Sequence, residues 1–184
     1  MNRRVMLMGI GTISVLPRSI AASPSSGESQ LIGLSIDDVS ANWGDLGEPI
    51  DRNDLSPFPM YQTGSQTWMI HIAFQPTADM EIATFAQFDT VSDEGVDWVD
   101  ANQLVTMILP PDSVFTESYT MQATPDGPLE LAISRYTSES TAEALGNQSQ
   151  ENILAIIANV YQPENENMPR AVRSVMISTS NIPQ

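Results

Sequence analysis

Apolar residues Ile36, Val39 and Trp43 recur at helical spacing, just behind Ser35-Ile36-Asp37-Asp38. That tetrapeptide has the form of a capping box, with an acid three residues after a hydroxyl. Gly44 ends this first predicted helix, and the stretch 45–59, punctuated by Gly47, Pro49, Pro57 and Pro59, reads as a loop. The period then drops from 3.6 to 2. Trp68, Ile70, Ile72 and Phe74 alternate with Met69, His71 and Ala73, and Gly64-Ser65 is a turn pair, which predicts a hairpin over Met60 to Phe74. A third strand follows from Met80 to Phe88, its alternation blurred at Phe85.

Helical spacing returns at Trp98, Ala101, Val105 and Ile108, with Leu104 widening the stripe and Pro110-Pro111 ending it. The second half is strand-rich. Val114 to Ala123 and Leu129 to Tyr136 flank the turn signal Pro125-Asp126-Gly127. Thr141 to Leu145, stopped by Gly146, reads as one short helical turn. Ile153 to Tyr161 is apolar on both faces, the pattern of a central strand covered on each side. Val172 to Thr179 returns antiparallel after a polar loop from Pro163 to Pro169.

The implied fold class is α+β: a mostly antiparallel sheet of about six to seven strands with two main helices packed on one face. A helix followed by a meander occurs twice in that order, which suggests duplication.

The first 22 residues stand apart from this pattern. Arg3 and Arg4 precede an apolar stretch from Val5 to Leu16, Pro17 breaks it, and Ala21, Ala22 and Ser23 supply small residues. Positive, apolar and small, in that order, is the secretory signal pattern. The apolar run falls short of the ~20 residues a membrane-spanning helix needs. The expected division is a signal peptide over 1–22 cleaved near Ala21 or Ala22, a flexible linker over 23–30, one α+β domain over 31–180 and a tail over 181–184. Asn2-Arg3-Arg4-Val5-Met6-Leu7 resembles a twin-arginine motif without its consensus phenylalanine, so both that route and the general secretory route fit. The expected location is secreted or periplasmic.

Charge narrows the partners. The chain has 7 basic residues, all arginine, against 23 acidic ones. Loss of the signal removes Arg3, Arg4 and Arg18 and leaves a formal charge of −19. Such a field opposes nucleic acid, whose phosphates demand neutralisation, and opposes anionic lipid surfaces. It favours a protein or cationic partner. The absence of cysteine excludes disulfides, thiolate metal sites and a cysteine nucleophile.

Gly33-Leu34-Ser35-Ile36-Asp37-Asp38-Val39, then Gly44 and Gly47-Glu48-Pro49, resembles the first helix of β-lactamase-inhibitory-protein-like envelope domains. There a glycine, an apolar residue and a hydroxyl start the helix, and a Gly-x-Pro exit leads to an antiparallel meander. The glycine exit here carries extra residues, and the paired cysteines of some members are missing. The resemblance implies a protein-binding or envelope-scaffold role without catalysis.

Candidate chemistry is sparse. His71, the one histidine, belongs to the face opposite Trp68 and the isoleucines, and no Gly-x-Ser-x-Gly elbow accompanies it. It reads as a second-face strand residue whose replacement by alanine should cost little stability. Asp51 with Asn53 and Asp54, and Asp89 with Asp93, Glu94, Asp97 and Asp100, are the loop acids best suited to Ca²⁺, yet none follows the EF-hand order. Asp37-Asp38 and Glu164 with Glu166 read as caps and solvated charge. Trp43, Trp68 and Trp98 fall on predicted core faces, and Asn147-Gln148-Ser149 is a formal glycosylation sequon. These residues assign no catalytic, cofactor or metal position. The expectation is an exported soluble non-enzymatic binding or interaction module, the alternative a small secreted hydrolase using paired carboxylates.

Overall fold

Two meanders share one sheet. The computed structural model describes residues 30–51, 56–123, 129–146, 151–160 and 171–179. Helix α1 (Ile36–Trp43) precedes strands β1 (Met60–Gly64), β2 (Trp68–Pro76) and β3 (Glu81–Thr90). Helix α2 (Trp98–Ile108) precedes β4 (Val114–Gln122) and β5 (Leu129–Ser138). A short helix α3 (Glu139–Ala144) then leads to β6 (Glu151–Val160) and β7 (Ala171–Ser178). The seven strands form one sheet in the order β1-β2-β3-β7-β6-β5-β4. Every pairing is antiparallel, and β3 against β7 joins the halves.

Both main helices begin in the same way. Gly33 (φ 86°) leads through Leu34 to the N-cap Ser35, and Gly95 (φ 75°) leads through Val96 to the N-cap Asp97. Ser35 Oγ accepts from Asp38 N–H at 3.2 Å, and Asp97 Oδ1 accepts from Val99 N–H at 2.7 Å. Each cap satisfies an amide the helix cannot pair internally. Each start is also laced to the last strand of its own half. Gly33 N–H donates to Ala83 O and Ala83 N–H to Leu34 O, while Val96 and Val172 exchange both backbone bonds. The twofold order read from the sequence therefore has a matching pair of backbone anchors.

The main core joins Val39 of α1 and Ala101, Leu104, Val105 and Ile108 of α2 to Ile70, Ile72, Phe74, Ala86, Phe88, Ile153, Ala155, Ile157, Val175 and Ile177 of the strands. Phe88 is fully buried, with Trp43 and Trp68 edge-on to it at centroid distances of 5.9 and 6.2 Å. The three tryptophans are partly buried at the rim of this core, including Trp98, which the helical stripe alone had placed inside. Trp98 is the first residue of α2 and packs against the core from its edge.

The blurred alternation at Phe85 has a local cause. Ala73 pairs with Phe85 and Phe74 with Ala83, so Thr84 is the extra residue of a β-bulge. The bulge turns Phe85 onto the face of Ala73 and Met60, where the three form a second buried cluster. The expectation that Ile153 to Tyr161 is covered on both faces needs correction. β6 lies beside the central β7, and Ile153, Ala155 and Ile157 are buried while Leu154, Ile156 and Ala158 are only half-buried. The signal (1–22), the linker apart from Gln30, the turn 125–127, the sequon, the loop with Glu164 and Glu166 and the tail all lie outside the described residues.

Candidate interaction surface

Side chains of directly paired residues share a face, so the registers trace the second face strand by strand. One row crosses all seven strands as Gln62, His71, Gln87, Met176, Ile156, Ile133 and Tyr119. The next row runs Gly64, Met69, Asp89, Ser174, Ala158, Leu131 and Met121. These two rows are largely polar toward β1–β3 and apolar toward β4–β6, whereas the row Met60, Ala73, Phe85, Ser178, Leu154, Arg135 and Glu117 is apolar and buried at β1–β3 and charged at β5 and β4.

At the apolar end, β4 is exposed at all nine positions. Tyr119 is 44% exposed, Met121 49%, Phe115 53% and Val114 61%. Thr116 is the extra residue of a bulge, which puts Phe115 on the face opposite Tyr119 and Met121, where it meets Tyr136 edge-on at 5.7 Å. Burial holds the Tyr136 hydroxyl above its ordinary value, against a lowering hydrogen bond from Ser134. The single formal charge of β4, Glu117, pairs with Arg135 Nε at 3.2 Å. Sequence reasoning placed this strand and missed its exposure. The available signal was a run with large apolar residues on both faces of a nine-residue strand that holds one charge.

His71 lies on the second face, as its alternation requires, but that face is closed there: His71 is 4% exposed. Its Nδ1 is 3.8 Å from Asp89 Oδ2, beyond hydrogen-bond length. Asp89 instead accepts from Gln87 Nε2 at 3.0 and 2.8 Å. The acids that follow Asp89 in sequence do not converge. Asp97 caps α2, and Asp100 belongs to its first turn. Among the described residues no three His, Asp or Glu side chains are grouped to hold a metal ion. Asp51 is described, whereas Asn53 and Asp54 are not.

A polar node appears at residues that carry no sequence motif. Asp112 accepts from Ser138 Oγ, Ser140 Oγ and Ser140 N–H, each at 2.8 Å. Ser138 also caps α3 by accepting from Thr141 N–H at 3.1 Å. Burial raises the Asp112 carboxyl, but these hydrogen bonds outweigh it and hold the group below its ordinary value. The node fastens the lead into β4 to the end of β5.

Two grooves lie among the described residues. One of about 590 Å³ runs along α2 beside Trp98, Val99, Asn102, Gln103, Thr106 and Met107. Another of about 260 Å³ lies among Pro49, Ile50, Asp51, Pro57, Phe58 and Pro59. Neither brings two described carboxylates together. Among the described residues no helix is long and apolar enough to cross a membrane. Compared with protein-family models, curated proteins and solved structures, the chain matches none.

Proposed function

We propose that this chain is an exported, non-enzymatic interaction domain that binds a protein through the β4 end of its sheet, in the cell envelope or outside the cell. On this reading residues 1–22 are a cleaved signal. Helices α1 and α2 lie together on the first face, so the β4–β5 end of the second face and the β4 edge are left for contact. The observation that carries the reading is the exposure of Tyr119 and Met121, which share one face with Ile133 and Leu131, on a strand whose one charge lies 3.2 Å from Arg135 Nε. Contiguous exposed apolar surface in a soluble domain commonly marks a contact site. The acidic remainder of the surface repels nucleic acid. The likeness of the first helix to β-lactamase-inhibitory-protein-like domains supports the same class of role. Carboxylate hydrolysis has less support, because neither described groove pairs two acids.

Two measurements test this. Intact mass of the exported protein should place its N-terminus near Ala22 or Ser23, and a retained Met1 would refute export by cleavage. Wild type and a Tyr119→Lys, Met121→Lys double variant should be immobilised and exposed to periplasmic or culture-supernatant protein. A partner retained by wild type and lost from the variant is expected. Identical retention by both would remove β4 from the reading.

A further inference from the structure

The two edges of the sheet are treated differently. At β1, Ile50 exchanges backbone bonds with Met60 at 2.6 and 3.3 Å, and Thr63 Oγ1 donates to Trp43 O at 3.4 Å. The chain itself thereby closes part of that edge. At β4 no described residue beyond β5 makes a comparable backbone pairing. An open strand edge is a template for another strand.

The backbone parity of β4 shows which groups the edge offers. Ala123 N–H donates to Leu129 O at 2.9 Å, so Ala123, Met121, Tyr119 and Glu117 direct their amides at β5. Ser118, Thr120 and Gln122 consequently direct their N–H and C=O groups to the open side.

We infer that β4 pairs antiparallel with β4 of a second copy of this chain, about a twofold axis at Thr120. This rests on the β4 end being the interaction surface and names its occupant. In that register Thr120 exchanges both backbone bonds with the partner copy's Thr120, and Ser118 does so with the partner copy's Gln122. These are the three positions whose amides face outward. Tyr119 then stands opposite the partner copy's Met121 on the second face, a close non-hydrogen-bonded pair in which ring and thioether meet. Glu117 falls opposite the partner copy's Ala123, so no carboxylate faces another. The bulge at Thr116 ends the segment that can pair.

Charge favours a second copy over a basic chain at this edge. Without its signal the molecule carries a formal −19, which repels copies at long range, yet the only charge on β4 lies 3.2 Å from Arg135 Nε. A basic strand would find no free carboxylate there, whereas a copy meets a neutral, self-matching edge. The contact is isologous and closes as a dimer. One short strand pair buries less than the ~1,200–2,000 Å² of a stable interface. The dimer is therefore weak, and salt that screens the acidic surfaces strengthens it.

Because the chain has no cysteine, single cysteine variants of the purified protein read the register directly. Opposed Cα atoms of a hydrogen-bonded antiparallel pair lie about 5.5 Å apart, within disulfide reach. Under mild oxidation Thr120→Cys should give a covalent dimer. Ser118→Cys should not, since its counterpart lies roughly 13 Å along the strand pair at ~3.4 Å per residue, and neither should Thr106→Cys on α2. Sedimentation of wild type should show mass rising toward the dimer by about 100 µM, more so in 0.5 M than in 0.05 M NaCl, in keeping with a weak and screened contact. Thr120→Pro removes only an outward N–H, which an edge strand tolerates, and should remain monomeric with an unchanged melting curve. A wild type that stays monomeric at both salts, equal crosslinking at 118 and 120, or a dimer that survives Thr120→Pro would overturn the inference. A monomeric wild type that still captures a foreign protein, with capture lost in Thr120→Pro, would overturn it while leaving the broader reading of β4 in place.

Discussion

Val96 and Val172 hydrogen-bond to each other through both backbone N–H groups, at 3.0 and 2.9 Å, and so tie the start of α2 to the last strand of its half. The contact depends on the residue before it. Gly95 sits at φ 75°, and a Cβ there would meet Val172 O at 2.6 Å and Ala171 Cβ at 3.2 Å. Gly95→Ala should therefore cost more than the ~1–3 kcal/mol of left-handed backbone strain alone. Gly47 offers the control, since its φ is 64° and nothing lies within 4 Å of its added Cβ. Gly47→Ala should lose only the strain. Urea melts in which both variants lose the same stability would show that the Val96–Val172 anchor adapts.

Core substitutions should rank by burial and not by side-chain size. Phe88→Ala empties a fully buried position between two tryptophans and should cost ~3–5 kcal/mol. Trp98→Ala, at the rim, should cost clearly less. Denaturant melts in which Trp98 proves the more damaging site would contradict the placement of α2.

His71→Ala should destabilise by about 1–3 kcal/mol, the range for losing a buried, packed polar side chain. Its 4% exposure overrides the expectation of a near-neutral site that came from strand alternation. A loss below half a kilocalorie per mole would restore that expectation.

Asp112 gives a pH signature. Its native carboxyl lies below the ordinary 3.8, so folding favours the ionised form. Its stabilisation is complete above the unfolded value and disappears as pH falls through the lowered native value. The melting-temperature gap between wild type and Asp112→Asn should be widest near neutrality and should narrow below pH 3.8. A gap that widens on acidification would reverse the assigned sign.

Metal dependence is expected to be absent. Asp97 caps α2, Asp89 accepts from Gln87, and among the described residues no three His, Asp or Glu side chains are grouped for an ion. Melting in millimolar Ca²⁺ and in EDTA should coincide at fixed ionic strength. A saturable rise of several degrees that NaCl does not reproduce would locate a site and direct attention to the segment beginning at Asp51.

Much of the fold was legible in local pattern. The alternation of Trp68, Ile70, Ile72 and Phe74, the stripe from Trp98 to Ile108 and the capping form at Ser35 each reflect a period or hydrogen bond spanning a few residues, and each element formed where its pattern stood. What local pattern could not contain was neighbourhood. Whether β6 is covered on one face or two, whether His71 faces solvent and whether β4 is an edge depend on strand order, which pairs β3 with β7 across more than eighty residues. The bulges at Thr84 and Thr116 reverse which residues share a face, and periodicity cannot register a single inserted residue of that kind. Local pattern and composition were enough for the elements, the acidity and the scarcity of reactive groups. Which apolar residues reach the core and which, like Tyr119 and Met121, stand exposed on the outermost strand follows from strand order, because burial belongs to the arrangement of strands and not to any one of them.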